Sequence, residues 1–144
     1  MRVEIRQAGT IEEESAIITA VKMTDSIKSA VDILRDNAAG IAVSSGNDTR
    51  IIRNDLIYYI ESVDKRTYVY TKGDCFETKY RLYELQDILG FNFLRCSKAM
   101  IVNIRKIRSV RAELNARMSV ELLNGERIII SRGYVKELKN KLGV

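Results

Sequence analysis

Apolar and polar positions alternate along MRVEIR (1–6), and SAIITAVKM (15–23) is a β-rich apolar run, so both segments predict strands, joined by the acidic connection GTIEEES. The period then lengthens. Ile27, Ala30, Val31 and Leu34 fall at i, i+3, i+4 and i+7, the apolar face of a helix over 25–37 that Thr24 or Asp25 can cap. Gly40 and SSGNDT (44–49) punctuate the chain, and strands dominate after them. TRIIR (49–53) and DLIYYIE (55–61) come first, with a break at Asn54-Asp55. TYVYT (67–71) and CFETK (75–79) flank Lys72-Gly73-Asp74, a hairpin signal. YRLYELQDIL (80–89) predicts a short helix with Leu82, Leu85, Ile88 and Leu89 on one side, ended by Gly90. IRKIRSVRA (104–112) and RMSVELL (117–123) are joined across Leu114-Asn115-Ala116, and Asn124-Gly125 leads into RIIIS (127–131). Ser131 can cap a last helix over 132–142, with Val135, Leu138 and Leu142 inward and Lys136, Lys139 and Lys141 outward.

These elements predict a mostly antiparallel β protein with short helices. One stretch does not fit a plain core strand pair. FNFLRCSKAMIVNIRKI (91–107) sets Arg95, Lys98, Arg105 and Lys106 among Phe91, Phe93, Met100, Val102 and Ile107, with no acidic residue present. The apolar residues are expected in the core, holding the cations rigidly outward.

The chain has 144 residues, 46% hydrophobic and 30% charged, which fits one globular domain with a small N-terminal extension. No apolar run reaches the roughly 20 residues a bilayer span requires, and 1–14 has no signal-peptide core, so a cytoplasmic location is expected. Cys75 and Cys96 are too few and too distant for a disulfide framework or zinc site and are expected as ordinary half-buried thiols. Histidine is absent. That removes Ser-His-Asp and Cys-His nucleophile systems and histidine-bearing zinc sites. The carboxylates form no pair, and no Gly-rich phosphate loop occurs, so neither catalysis nor a cofactor or metal is expected.

Charge is unevenly placed. Residues 1–45 hold five Lys/Arg against seven Asp/Glu, so the net +5 divides into −2 there and +7 over the other 99 residues. A basic C-terminal two-thirds predicts a polyanion-facing part. Helix 25–37 has mixed polar signs and no helix-turn-helix pattern follows it, so nucleic acid would be met by loops and strand ends. The cations of 104–112 fit a DNA face and a charge-defended edge strand equally well. Three loops carry more. Asp64-Lys65-Arg66-Thr67 lies between apolar strands, Arg95-Cys96-Ser97-Lys98 sets cations beside small residues, and Ser131-Arg132-Gly133 opens the last helix, where free N–H groups favour a phosphate.

YYIESVDKRTYVYT, RLYELQDIL, FLRCSKAMIVNIRKI and VELLNGERIIISRGYVKEL occur in an order and spacing that resembles the LytTR DNA-binding domain, over about residues 47–142. The resemblance implies an elongated stack of small antiparallel sheets and a bacterial transcription regulator. Such regulators set loops into successive major grooves, usually at paired direct repeats. It places base contacts at Thr67, Lys98 and Arg132, and phosphate contacts at Lys65, Arg66, Arg95, Ser97, Ser131 and Lys136. Asn103, in the family's VN pair, reads as structural. Where many relatives have R-x-H-[RKN]-S, this chain has Arg95-Cys96-Ser97-Lys98-Ala99, which alters details of phosphate contact and sequence preference rather than the scaffold.

The layout expected is 1–46 as a strand–strand–helix extension and 47–144 as the DNA-binding domain, of the stand-alone type without a receiver domain. Double-stranded DNA is the expected partner. The extension would serve a homodimer, cover a sheet, or dock on a membrane regulator encoded alongside, a partner that the resemblance alone implies. From a different class, a protein-interaction or ligand-sensing β module would turn the same basic loops to an acidic partner.

Overall fold

The computed structural model describes residues 1–36 and 39–144. Among them, seven antiparallel strands make one sheet, in the order β2-β1-β5-β4-β3-β7-β6. They are β1 (Gly40–Ser45), β2 (Asp48–Arg53), β3 (Tyr59–Val63), β4 (Arg66–Tyr70), β5 (Cys75–Thr78), β6 (Phe93–Ser97) and β7 (Met100–Asn103). A second sheet holds β8 (Ile107–Ala112), β9 (Met118–Leu122) and β10 (Arg127–Ile130), with β9 in the middle. The helices are α1 (Asp25–Asp36), α2 (Leu82–Leu89) and α3 (Val135–Leu142).

The period of two along each strand divides the core in half. Ile60, Phe93 and Ile101 face one way and pack with Ile41, Val43 and the α2 residues Leu82, Leu85 and Leu89. Their neighbours Tyr59, Leu94 and Val102 face the other way, onto Val120, Leu122 and Ile130 of the small sheet and Leu138 of α3. The large sheet is thus covered on both faces, which is why residues 57–60, leading into β3, and residues 100–102 of β7 read as continuous apolar runs.

The mostly antiparallel class and the hairpin across Lys72-Gly73-Asp74 appear as expected, the latter closed by Thr71 N–H donating to Asp74 O at 3.0 Å. Thr24 caps α1, its Oγ1 accepting from Ile27 N at 3.3 Å, while Asn37 lies outside the described residues. Several details differ. The strands expected at 1–6 and 15–23 do not form, and Val3, Ile5, Ile17 and Val21 are largely or fully exposed. Alternation makes a strand only when a partner supplies the ladder, and among the described residues no other segment pairs with these two. β1 was not expected; it pairs with β2 across Gly46, whose φ is 62°, so the hairpin straddles residues 46 and 47.

Ile88 is 46% exposed, because α2 is short and only three of its turns' apolar positions meet the sheet. Residues 104–106 form a 3-10 turn, so their side chains do not alternate with those of β8. β8 is an edge strand with Arg108 and Arg111 exposed, and Arg108 pairs with Glu121 at 3.4 Å. Phe91 is only half-buried, and Lys141, expected outward, lies 3.6 Å from the centre of its ring and donates to Phe91 O.

Candidate nucleic-acid interface

Strand register decides where the three loops go. The turn at Asp64-Lys65 closes β3 and β4, and the turn at Lys98-Ala99 closes β6 and β7. β3 and β7 are antiparallel neighbours with Glu61 opposite Met100, so both turns lie at one end of the sheet. Ser62 N donates to Ala99 O at 2.8 Å and ties them together. Ser131 N donates to Cys96 O at 2.9 Å, which brings the segment after β10 to the same end. All three sequence-predicted loops therefore meet.

Lys65, Arg66, Lys98, Arg132 and Lys136 are exposed there, and Arg95, Ser97 and Ser131 are half-buried. Thr67 is the exception. At 3% exposure it forms part of the floor of a cleft of about 330 Å³, between Arg66, Lys79 and Arg81. Its place in β4 points it inward opposite Thr78, and little of its surface is left for a base edge.

Each loop has a local reason for its shape. Asp64 and Lys65 take φ of 49° and 66°, the left-handed pair of a two-residue hairpin turn. Arg81 Nη1 donates to Lys65 O at 2.9 Å and holds that turn. Arg66 reaches Glu77 only at 4.0 Å with both side chains well exposed, a pair worth little in water. Between Arg95 and Ser97 the register of β6 and β7 shifts, and Ser97 Oγ accepts from Ala99 N at 3.2 Å. This bulge re-aims the loop that carries Lys98.

Arg95 turns back onto its own loop. Its Nε donates to Ser97 O at 3.2 Å, Nη2 to Lys98 O at 2.6 Å, and Nη1 to Gln86 Oε1 at 2.8 Å. After β10, residues 132–134 form a 3-10 turn before α3 begins, and the Ser131 side chain caps neither. A Cβ at Gly133 would meet nothing within 4 Å, so the room it leaves is on the outside.

Asn103, at the opposite end of β7, is structural as expected. Buried to 2% exposure, it donates to Ile57 O at 2.8 Å and accepts from Arg105 N at 3.0 Å. The sequence did not single out Arg81 and Gln86, whose roles depend on partners 16 and 9 residues away: Arg81 donates to Lys65 O, and Gln86 accepts from Arg95. No spacing rule reports such pairs.

The cysteines divide instead of being alike: Cys75 is exposed and Cys96 buried. Burial pushes the Cys96 thiol up to about 12, against a weaker opposing pull from its backbone hydrogen bond and Arg95. The native protein should therefore show one fast thiol toward a disulfide reagent, with Cys96 reacting only as the chain unfolds. Its unfolded thiol ionises nearer 9.0, so the stability held below that value declines as pH rises from there toward 12. Burial raises Tyr59 and Tyr70 in the same direction, with Glu126 adding to the shift at Tyr59. A thermal midpoint that does not fall across this alkaline range would contradict the burial.

A family model for the LytTr DNA-binding domain matches residues 47–143. This chain belongs to the LytTR DNA-binding family. A solved LytTr DNA-binding domain from Bacillus cereus superposes with a TM-score of 0.70 at 25% identity, covering 74% of this chain and 98% of that one. Proteins of Staphylococcus aureus, among them those of strains COL and MW2, are 29% identical over 136 residues, 92% of each chain. They bear the description "uncharacterized HTH-type transcriptional regulator". In this LytTR chain α1 precedes β1, α2 lies between β5 and β6, and α3 follows β10, so no helix-turn-helix occurs among the described residues. Among those residues, too, no helix is long and apolar enough to cross a membrane.

Proposed function

We propose that this LytTR protein is a sequence-specific DNA-binding regulator of transcription that sets loops, rather than a helix, into successive major grooves. The observation that carries the reading is the convergence of the Lys65, Lys98 and Arg132 loops at one end of the sheet, fixed by the Glu61–Met100 register and two backbone hydrogen bonds. Lys98 and Arg132 are exposed at loop tips and suit base edges, where an arginine can fork onto guanine O6 and N7. Lys65, Arg66, Ser97, Ser131 and Lys136 suit phosphates, which fix register without reading sequence. Thr67 is 3% exposed, so this loop meets DNA through its exposed neighbours Lys65 and Arg66 on the phosphate side. A DNA-binding role fits a cytoplasmic location.

Hydroxyl-radical footprinting tests the loop mode. Two protected patches about one helical turn apart on one face of the duplex, repeated at a second direct repeat, are expected. A single continuous patch centred in one groove would oppose it.

Paired repeats call for two copies, and the first 24 residues offer the means. Val3, Ile5, Ile17 and Val21 are 77%, 91%, 89% and 109% exposed in one copy, on segments whose alternation suits strands. A second copy supplies the partner strand that a single chain lacks. Light scattering should show a dimer that Ile17→Glu converts to monomer without loss of the domain's thermal transition. A wild-type monomer that binds a membrane protein through the same residues would move the segment to the other role.

A further inference from the structure

We propose that α2 is a strut that positions two DNA-facing loops at once, through Arg81 and the Gln86–Arg95 pair, and that Arg95 is a positioning residue instead of a phosphate contact. The proposal rests on the DNA-binding reading for its functional consequence, but the clasp itself is a property of the free protein.

The geometry at Arg95 is specific. The guanidinium uses all three nitrogens on the protein side, on the carbonyls of Ser97 and Lys98 and on Gln86 Oε1. Those two carbonyls belong to the peptides on either side of the Lys98 Cα, and so set the direction of its side chain. The loop is bulged between Arg95 and Ser97, so the strand ladder does not hold it there. Arg95 replaces the missing ladder. Three of its five N–H donors are committed to the protein, two of them in bonds of 2.8 Å or less, and these hold the guanidinium against its own loop.

α2 anchors both ends of the arrangement. Its core face is fixed by Leu82, Leu85 and Leu89, all buried under the sheet. Its outer face presents Gln86 to Arg95. The residue just before it, Arg81, donates to Lys65 O, while Arg81 N donates to Glu84 Oε1 at 3.0 Å and so stays bound to the first turn of the helix. Lys65 has a positive φ, a conformation sterically disfavoured for a residue with a Cβ, and the Arg81 bond supports it there. One rigid helix therefore sets the carbonyl of Lys65 and, through Arg95, that of Lys98. The spacing between the two loops becomes a property of the fold.

Gln86→Ala is the decisive variant, because Gln86 is exposed and carries no charge. In the full-length protein it should weaken binding to a specific duplex roughly three- to tenfold, the worth of one such hydrogen bond. It should leave the salt slope unchanged, since no phosphate contact is lost. The cost of Lys98→Ala should shrink in the Gln86→Ala background, as expected for groups acting through one loop. Arg95→Ala should repeat the affinity loss without the drop of about one in salt slope that a phosphate-contacting lysine gives. Unchanged affinity in Gln86→Ala, or additive costs with Lys98→Ala, would overturn the proposal.

Amide hydrogen exchange at Ser97, Lys98 and Ala99 in the DNA-free protein separates the two readings. Both variants should speed exchange there about tenfold or more while α2 stays protected. Faster exchange in a protein that binds no duplex would keep the clasp and remove its proposed purpose. Unchanged exchange would remove the clasp whatever the protein binds.

Discussion

Ile101→Ala should cost about 2–5 kcal/mol of folding stability, the range for truncating a fully buried aliphatic side chain. Ile101 has 0% exposure on β7, an inner strand of the large sheet, and packs into the cluster closed by α2. Its neighbour Val102, also at 0%, belongs to the other cluster, so β7 is locked from both faces and collapse around the lost methyls is limited. Against a total stability of roughly 5–15 kcal/mol for such a domain, the loss is severe. Ile129→Ala is the internal control, because Ile129 is 50% exposed and its side chain is outside both clusters. Urea denaturation should show a large fall in midpoint for the first variant and a small one for the second, with the m-value retained in both. Equal shifts would mean that the two-faced core does not carry the fold.

The second large effect is on binding. Arg132→Ala should weaken a cognate duplex by roughly 1–3 kcal/mol and flatten discrimination at one base pair. Arg132 is exposed at the start of the 3-10 turn after β10, beside Gly133, where the chain leaves open space. Lys65→Asn should act differently. Asparagine tolerates the positive φ of 66°, so the turn persists while the charge is lost. Binding to all duplexes should then fall together, with a salt slope lower by about one. If Arg132→Ala leaves the ratio of cognate to mismatched affinity unchanged, its part in base reading is wrong.

Much of the fold was legible because local rules governed it. The Lys72-Gly73-Asp74 hairpin, the Thr24 cap and the Asn103 amide each depend on residues close in sequence or on the need of a buried polar group for partners. Legibility failed where one chain alone had to supply a partner. MRVEIR and SAIITAVKM carry strand patterns but find no ladder, while GIAVSS forms β1 because β2 and β5 lie on either side of it. The site divides along the same line. The positions of Lys65 and Lys98 in turns followed from polar residues flanked by apolar strands, and that of Arg132 from the expected start of the last helix. The burial of Thr67 and the inward turn of Arg95 did not, since strand phase and a bulge decide them. Four segments in family order supplied what periodicity could not, the expectation that these loops face DNA.

The most direct test of the central claim is fluorescence anisotropy of the full chain on duplexes from upstream of its own gene, against scrambled duplexes, over a salt series. A clear preference for the upstream DNA that survives physiological salt is expected, with a steep slope counting the phosphates engaged at the loop end of the sheet. Equal, weak binding to both duplexes that vanishes near physiological salt would contradict it, and would leave the basic loops to an acidic protein partner.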